Sequence, residues 1–192
     1  MRCGAVILAG GNSSRMGADK AALVYQGRSF LQRIVEELSF IDEILLSADE
    51  GRGFESLGLR IVGDIYPGCG PISGLHAALS ACESDALFVT PCDMPLITRS
   101  LPEYLCSKLE DGFDAVVAQS ADGRIHPLCA VYRTTAAAVF QRMILSGNYK
   151  IVDAFAKMKV CYVTISEAGI SDEMMLNINT PDDYAALLGR GE

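Results

Sequence analysis

AVILAGGNSSRMGADK, residues 5–20, decides the architecture. It begins as an unbroken apolar run, opens onto Gly10 and Gly11, and then sets Arg15 and Lys20 five positions apart. A run that is apolar at every position, rather than at alternate ones, reads as a strand buried on both faces. Similar runs rich in β-branched residues recur at 43–47, 59–62, 86–90, 114–118, 128–132 and 160–165. Between them, 29–38 places Phe30, Ile34 and Leu38 at helical intervals, and 72–81, 101–109 and 134–145 read the same way. Strand alternating with helix specifies an α/β fold built on a doubly wound, mostly parallel sheet. A last helix starts at the capping Thr180, with Pro181 in its first turn and Asp182 and Asp183 at the positive end of its dipole. It runs through Tyr184, Leu187 and Leu188 and stops at Gly189. Surface turns are expected at 51–53 and 111–112, and no repeat, low-complexity tract or linker interrupts the pattern, so residues 1–192 are expected to form a single domain.

The bulk composition narrows the chemistry. The chain has 192 residues, 50% hydrophobic and 21% charged, enough for a substantial core. Its formal net charge of -8 argues against a nucleic-acid or anionic-membrane binder, which needs a basic field. Any phosphate chemistry must therefore use a local basic site. Seven cysteines, an odd number with no CxxC pair, indicate a reducing compartment, and a cytoplasmic location is expected. His76 and His126 have no partners at zinc-ligand spacing. The first apolar run is shorter than a signal-peptide core of roughly 7 to 15 residues, and no run approaches the roughly 18 apolar residues of a membrane span.

Ligands of open α/β sheets bind at the carboxyl ends of the strands, and residues 8–20 follow the first one. The spacing fits neither common nucleotide fingerprint. GxGxxG would need glycine where Asn12 stands, and the P-loop would need Gly-Lys-Ser/Thr where Gly17 precedes Ala18. What remains is a backbone opened by glycine, whose N–H groups can surround phosphate or base edges, with Arg15 and Lys20 supplying charge. An anionic ligand is the natural complement; a merely solvated surface loop is the plain alternative. Asn12, Ser13 and Ser14 also match a glycosylation sequon, set aside because the chain shows no route to secretion.

Carboxylates converge on the same edge. TPCDMP, residues 90–95, follows the run ALFV, so Asp93 should emerge beside the glycine loop with Pro91 and Pro95 restricting the backbone around it. One carboxylate suits Mg2+, which keeps waters and takes its other ligands from substrate phosphates. An ordinary turn aspartate is the competing reading. Asp64, at the end of IVGD, could contact the nucleotide, orient a metal-bound water, or cap a turn. Asp19 adjoins Lys20 and is read as orienting it. GPISGL at 70–75 either lets a ligand approach Gly70 and Gly74 closely or simply starts a helix. Cys92 has no visible base and reads as a buried strand cysteine.

LAGGNSSRMGADK closely resembles LAGGxSxRMGxDK, the signature of the molybdenum cofactor guanylyltransferases, within the larger superfamily of sugar-phosphate and cofactor nucleotidyltransferases. The likeness continues in the family's order through GPISGLHAAL (70–79), PCDMP (91–95), HPLCAVY (126–132) and NINTPDDY (177–184), nearly the whole chain. It implies a nucleotidyltransferase-type fold and an enzyme that transfers GMP from Mg-GTP to the phosphate of molybdopterin or its molybdenum-loaded form, releasing pyrophosphate. It further implies nucleotide contacts at Leu8, Ala9, Gly10, Gly11, Lys20, Asp64 and Asp93. Ser47 is a weaker case, because it falls where some relatives carry asparagine. Arg15, Lys20 and Asp93 become the catalytic set and Asp93 the magnesium ligand. Gly74, His126, Pro127, Asn177 and Asn179 resemble the pterin side; structurally, His126 also reads as a satisfied loop histidine and the asparagines as backbone-bonding residues. Transient contact with cofactor-delivery or acceptor proteins is implied only by the resemblance.

Cytidylyltransferase relatives tend to read LAAG where this chain has LAGG, which favours GTP over CTP. Two rivals stay open: a sugar-1-phosphate nucleotidyltransferase, with the same chemistry on another acceptor, and a noncatalytic nucleotide-binding protein, which the intact Lys20 and Asp93 disfavour.

Overall fold

A computed structural model of the chain describes residues 1–10, 20–49, 51, 53–54 and 57–190. Seven of its strands make one sheet: β1 (Cys3–Leu8), β4 (Ile44–Ser47), β5 (Arg60–Val62), β6 (Ala86–Pro91), β7 (Ala115–Gln119), β8 (Ile125–Arg133) and β9 (Val160–Thr164). The remaining two, β2 (Val24–Tyr25) and β3 (Arg28–Ser29), form a separate antiparallel ribbon. The large sheet has the order β5-β4-β1-β6-β8-β7-β9. β1 pairs in parallel with β4 and β6, β4 with β5, and β7 with β9, whereas β8 runs antiparallel to both of its neighbours. The sheet is thus mostly parallel, and the single reversed strand brings its first residues to the edge where the parallel strands end.

The unbroken apolar runs have a direct explanation in the packing. Along β1, Ala5 and Ile7 enter one core while Val6 and Leu8 enter the other. β6 divides in the same way, with Ala86 and Phe88 on one side and Leu87 and Val89 on the other. Helices α1 (Phe30–Glu37) and α3 (Ser100–Ser107) cover the first face through Leu31, Ile34, Leu101 and Leu105. Helices α2 (Pro71–Ala81) and α4 (Ala137–Leu145) cover the second through Ile72, Leu75, Phe140 and Met143. This is the doubly wound arrangement that the alternation of runs predicts. No helix among the described residues is long and apolar enough to cross a membrane.

A third, smaller cluster fixes the segment that matters for the site. Tyr25 of β2, Phe30 of α1, Ile178 and Leu187 of α5 (Pro181–Leu188) pack together. Tyr184 Oη donates to the Val24 carbonyl at 2.6 Å. The β2–β3 turn takes Gln26 and Gly27 at φ 50° and 78°, two consecutive left-handed residues of the kind that tight hairpins require. α5 begins with a reciprocal capping box: Asp183 N donates to Thr180 Oγ1, and the Asp183 carboxylate accepts from Thr180 N.

Candidate functional site

Four strand ends lie level at the carboxyl edge. Leu8 is in register with Ser47 on one side and Pro91 on the other, and Ser47 with Val62 beyond. The chain therefore leaves β5, β4, β1 and β6 side by side in that order, delivering Asp64, Ala9 and Asp93 to one edge. Two backbone bonds hold the exits together: Ala9 N to the Ser47 carbonyl at 2.8 Å, and Cys92 N to the Leu8 carbonyl at 3.0 Å. A cavity of about 560 Å³ opens there, and Leu8, Ala9, Gly10, Lys20, Ser47, Asp64, Gly74 and Asp93 all line it.

On its wall, the Lys20 ammonium donates to Asp93 Oδ2 at 3.1 Å and to Asn179 Oδ1 at 2.6 Å. Lys20 and Asp93 retain 19% and 17% of their side-chain exposure, so the pair is partly desolvated yet reachable. Asp93 Oδ1 is buried with no hydrogen-bond partner among the described residues. A buried carboxylate oxygen left unpaired is costly, and a cation at the site would remove that cost. No group of three or more His, Cys, Asp or Glu among the described residues could hold a metal. The unpaired Asp93 oxygen fits an ion such as Mg2+ that takes one protein carboxylate and completes its shell with water and phosphate oxygens.

The other wall is shaped by α2. Gly70 adopts φ 74° just before the helix, and Pro71 occupies its first turn with no side-chain cap on the N-terminus. A Cβ on Gly74 would lie 2.4 Å from Ser47 Oγ, with Asp64 Oδ1 and Leu8 Cδ2 each at 3.5 Å. Gly74 is thus the close contact that lets α2 approach the ends of β1 and β4. Burial pushes the Asp64 carboxyl above its ordinary range, a bond with Ser73 opposes this, and the charge of Asp49 adds to it. Asp49, which also lines the cavity, was not singled out in the sequence. It stands two residues beyond Ser47, and the strand-end logic that found Asp64 and Asp93 applies equally to SAD at 47–49.

The residues resembling a pterin side divide. Asn179 lies on the Lys20–Asp93 ion pair, its backbone N–H donating to Asp183 Oδ2 at 2.9 Å. Asn177 has a buried side-chain oxygen with no partner among the described residues, next to Ile178, whose N–H donates to the Asp93 carbonyl at 2.9 Å. His126 is buried in β8 with Nε2 2.6 Å from Ser120 Oγ. Burial, aided by the charge of Arg124, holds its ring below the ordinary histidine range. The Pro127 carbonyl accepts from Tyr132 Oη at 2.6 Å. His126 and Pro127 do not line the cavity, although Leu128 in the same strand does. Gly11, Arg15 and Asp19 lie outside the described residues.

The family described as MobA-like NTP transferase domain matches residues 5–164. The chain belongs to that family. A protein named probable molybdenum cofactor guanylyltransferase from Clostridium perfringens is 34% identical over 194 residues, covering 98% of this chain and 97% of that one. Another of the same name from Carboxydothermus hydrogenoformans is 33% identical, covering 95% and 93%. The crystal structure of molybdopterin-guanine dinucleotide biosynthesis protein A from Archaeoglobus fulgidus superposes with a TM-score of 0.83 at 26% identity, over 97% of each chain. A cytidylyltransferase structure from Thermus thermophilus, at 16% identity and a TM-score of 0.72, shares the fold. As a MobA-like NTP transferase, the chain is a nucleotidyltransferase, and its cavity lies where that fold ends its parallel strands.

Proposed function

We propose that this enzyme transfers GMP from GTP to the terminal phosphate of molybdopterin, or of its molybdenum-loaded form, and releases pyrophosphate. The observation that carries the reading is the meeting of Lys20, Asp93 and Asn179 at one edge of the cavity. A cation donor, a carboxylate with an unpaired oxygen and an amide there suit a metal-bound triphosphate and a polar acceptor. The names of the full-length relatives supply the guanylyl group and the cofactor acceptor.

An acceptor phosphate oxygen attacks the α-phosphorus in line; that P–O bond forms as the bond from the α-phosphorus to the α,β-bridging oxygen breaks and pyrophosphate departs. Because the nucleophile is already anionic, positioning and charge neutralisation dominate over proton transfer. Lys20 turns its ammonium from Asp93 toward the phosphates and neutralises the departing pyrophosphate. Arg15 is assigned to the same charge on the strength of the motif. Asp93 would hold Mg2+, which when bound supplies electrophilic polarisation of the reacting phosphate. Backbone groups of Leu8, Ala9 and Gly10 read the guanine edge, which both donates and accepts, Gly11 is assigned to the nucleotide on the strength of the motif, and Asp64 and Ser47 contact the nucleotide from beside Gly74. Asn177 and Asn179, whose amides can match a pterin edge, face the acceptor, with His126 and Pro127 supporting that side. The proposal carries with it a cytoplasmic enzyme organised as a single domain, with transient contacts to proteins that deliver or accept the cofactor.

The deciding experiment supplies purified enzyme with Mg2+, molybdopterin and each nucleoside triphosphate in turn, with a sugar 1-phosphate as a parallel acceptor. Pyrophosphate release with GTP and molybdopterin is expected. Equal or faster turnover with CTP overturns the guanine assignment, and product only from the sugar phosphate overturns the acceptor.

A further inference from the structure

The seven cysteines show no paired spacing in the sequence, yet the fold brings two of them together at the edge opposite the nucleotide cavity. Cys3 is the first residue of β1 and Cys106 lies in the last turn of α3. Their sulfurs, 103 positions apart in the chain, are 2.8 Å from one another. Both are free thiols and partly buried. A disulfide places its sulfurs at about 2.05 Å, so a small side-chain movement separates this contact from a covalent bond.

Two features prepare the pair for oxidation. Both cysteines line a second cavity of about 900 Å³ that reaches the amino ends of β1 and β4, so a small solute entering it meets both sulfurs. Its lining carries Asp42, Glu43, Glu83 and Glu103 against Arg2 and Arg60, an acidic bias that disfavours anionic oxidants and leaves a small neutral one unopposed. The sulfurs are also unequal. Contact with the Cys106 sulfur holds the Cys3 thiol below its ordinary range against the opposing effect of burial, and contact with Cys3, together with burial, pushes the Cys106 thiol up. Cys3 is the better nucleophile and Cys106 the resolving thiol.

We propose that Cys3 and Cys106 form a peroxide-reactive pair that closes to a reversible disulfide between β1 and α3. The Cys3 thiolate attacks one oxygen of hydrogen peroxide; an S–O bond forms, the O–O bond breaks, and hydroxide leaves, taking up the proton that Cys3 had shed. The Cys106 sulfur then attacks the Cys3 sulfenic acid; the S–S bond forms, the S–O bond breaks, and the departing hydroxide leaves as water with the Cys106 proton. Two thiols are oxidised by two electrons and one peroxide is reduced to two waters.

The test treats the purified, folded chain with stoichiometric hydrogen peroxide in the absence of reductant, then alkylates, digests without reduction and maps the peptides by mass. The expected product is a linked Cys3–Cys106 peptide lighter by two hydrogens, lost on addition of dithiothreitol and absent from C106S, in which Cys3 instead accumulates oxygen. The proposal is overturned if Cys3 and Cys106 both stay open to alkylation after peroxide, or if Cys3 of the wild type gains oxygen without linking. The wild-type peptide map decides the matter whether or not C106S folds.

Discussion

At the scale of single residues, the site rests on two contacts with opposite tolerance for change. The Lys20–Asp93 contact at 3.1 Å is between partly exposed groups, so removing one partner should disturb chemistry far more than folding. Lys20→Met is expected to lower kcat by about 10²- to 10³-fold, the loss typical of removing one donor to developing charge, while the urea midpoint stays near that of the wild type. Asp93→Asn should likewise keep the fold and lose metal-dependent turnover; undiminished activity in either variant removes that residue from the mechanism. Gly74 behaves in the reverse way. A Cβ there meets the buried Ser47 Oγ at 2.4 Å, too close for contact without rearrangement. Gly74→Ala should cost about 1–3 kcal/mol of stability, measured by urea unfolding, and weaken GTP binding, whereas in a Ser47→Ala background the same change should cost less. Additive costs would mean that the obstacle is not Ser47. The sequence reads Gly74 as a place where a ligand approaches or a helix starts; the close approach of the Ser47 side chain is not written there, because contact between α2 and the end of β4 depends on tertiary packing.

At the scale of elements, the segment leading into α5 does more than begin a helix. Its capping box bonds Thr180 Oγ1 to Asp183 N at 3.1 Å, and the Asp183 carboxylate also accepts from Asn179 N, which fixes the residue whose side chain receives Lys20. Thr180→Ala should therefore lower stability by about 1 kcal/mol and in addition raise KM for the triphosphate, since the loosened turn carries Asn179. A stability loss with unchanged KM would confine Thr180 to the helix alone. This cap was readable from Thr180-Pro181-Asp182-Asp183, and all seven strands of the sheet were found within three residues at either end, because burial on both faces writes itself as continuous apolarity. The ribbon at 24–29 was not found. Its two-residue strands are too short to show any period, and the signal that marks it, Gln26-Gly27, becomes a turn only through backbone angles. The link from Asn179 to Lys20 spans 159 positions and was equally invisible, although each residue was singled out for its own reasons.

At the scale of the whole molecule, the sheet separates two cores, and the chain's two histidines, His76 in α2 and His126 in β8, are both buried. Burial holds both rings below their ordinary range, with Arg124 adding to the effect at His126. Histidine is the side chain whose unperturbed pKa, about 6.5, lies in the mildly acidic window. The unfolded chain therefore binds protons at a pH where the native rings still refuse them, and protonation favours unfolding. Stability should be fullest above about pH 6.5 and fall as the pH drops from there through the lowered native values, by at most about 1.4 kcal/mol per pH unit for each ring. Urea unfolding of the wild type at pH 7.5, 6.5 and 5.5 reads the slope. His126→Gln, which keeps an amide to meet Ser120, should remove one share of it, and His76→Gln the other. If the double variant loses stability as steeply as the wild type across that range, the two buried rings are not the source of its acid sensitivity; Glu43, held below its ordinary range by bonds from Ser84 and Glu83, loses stability only at pH values below that window.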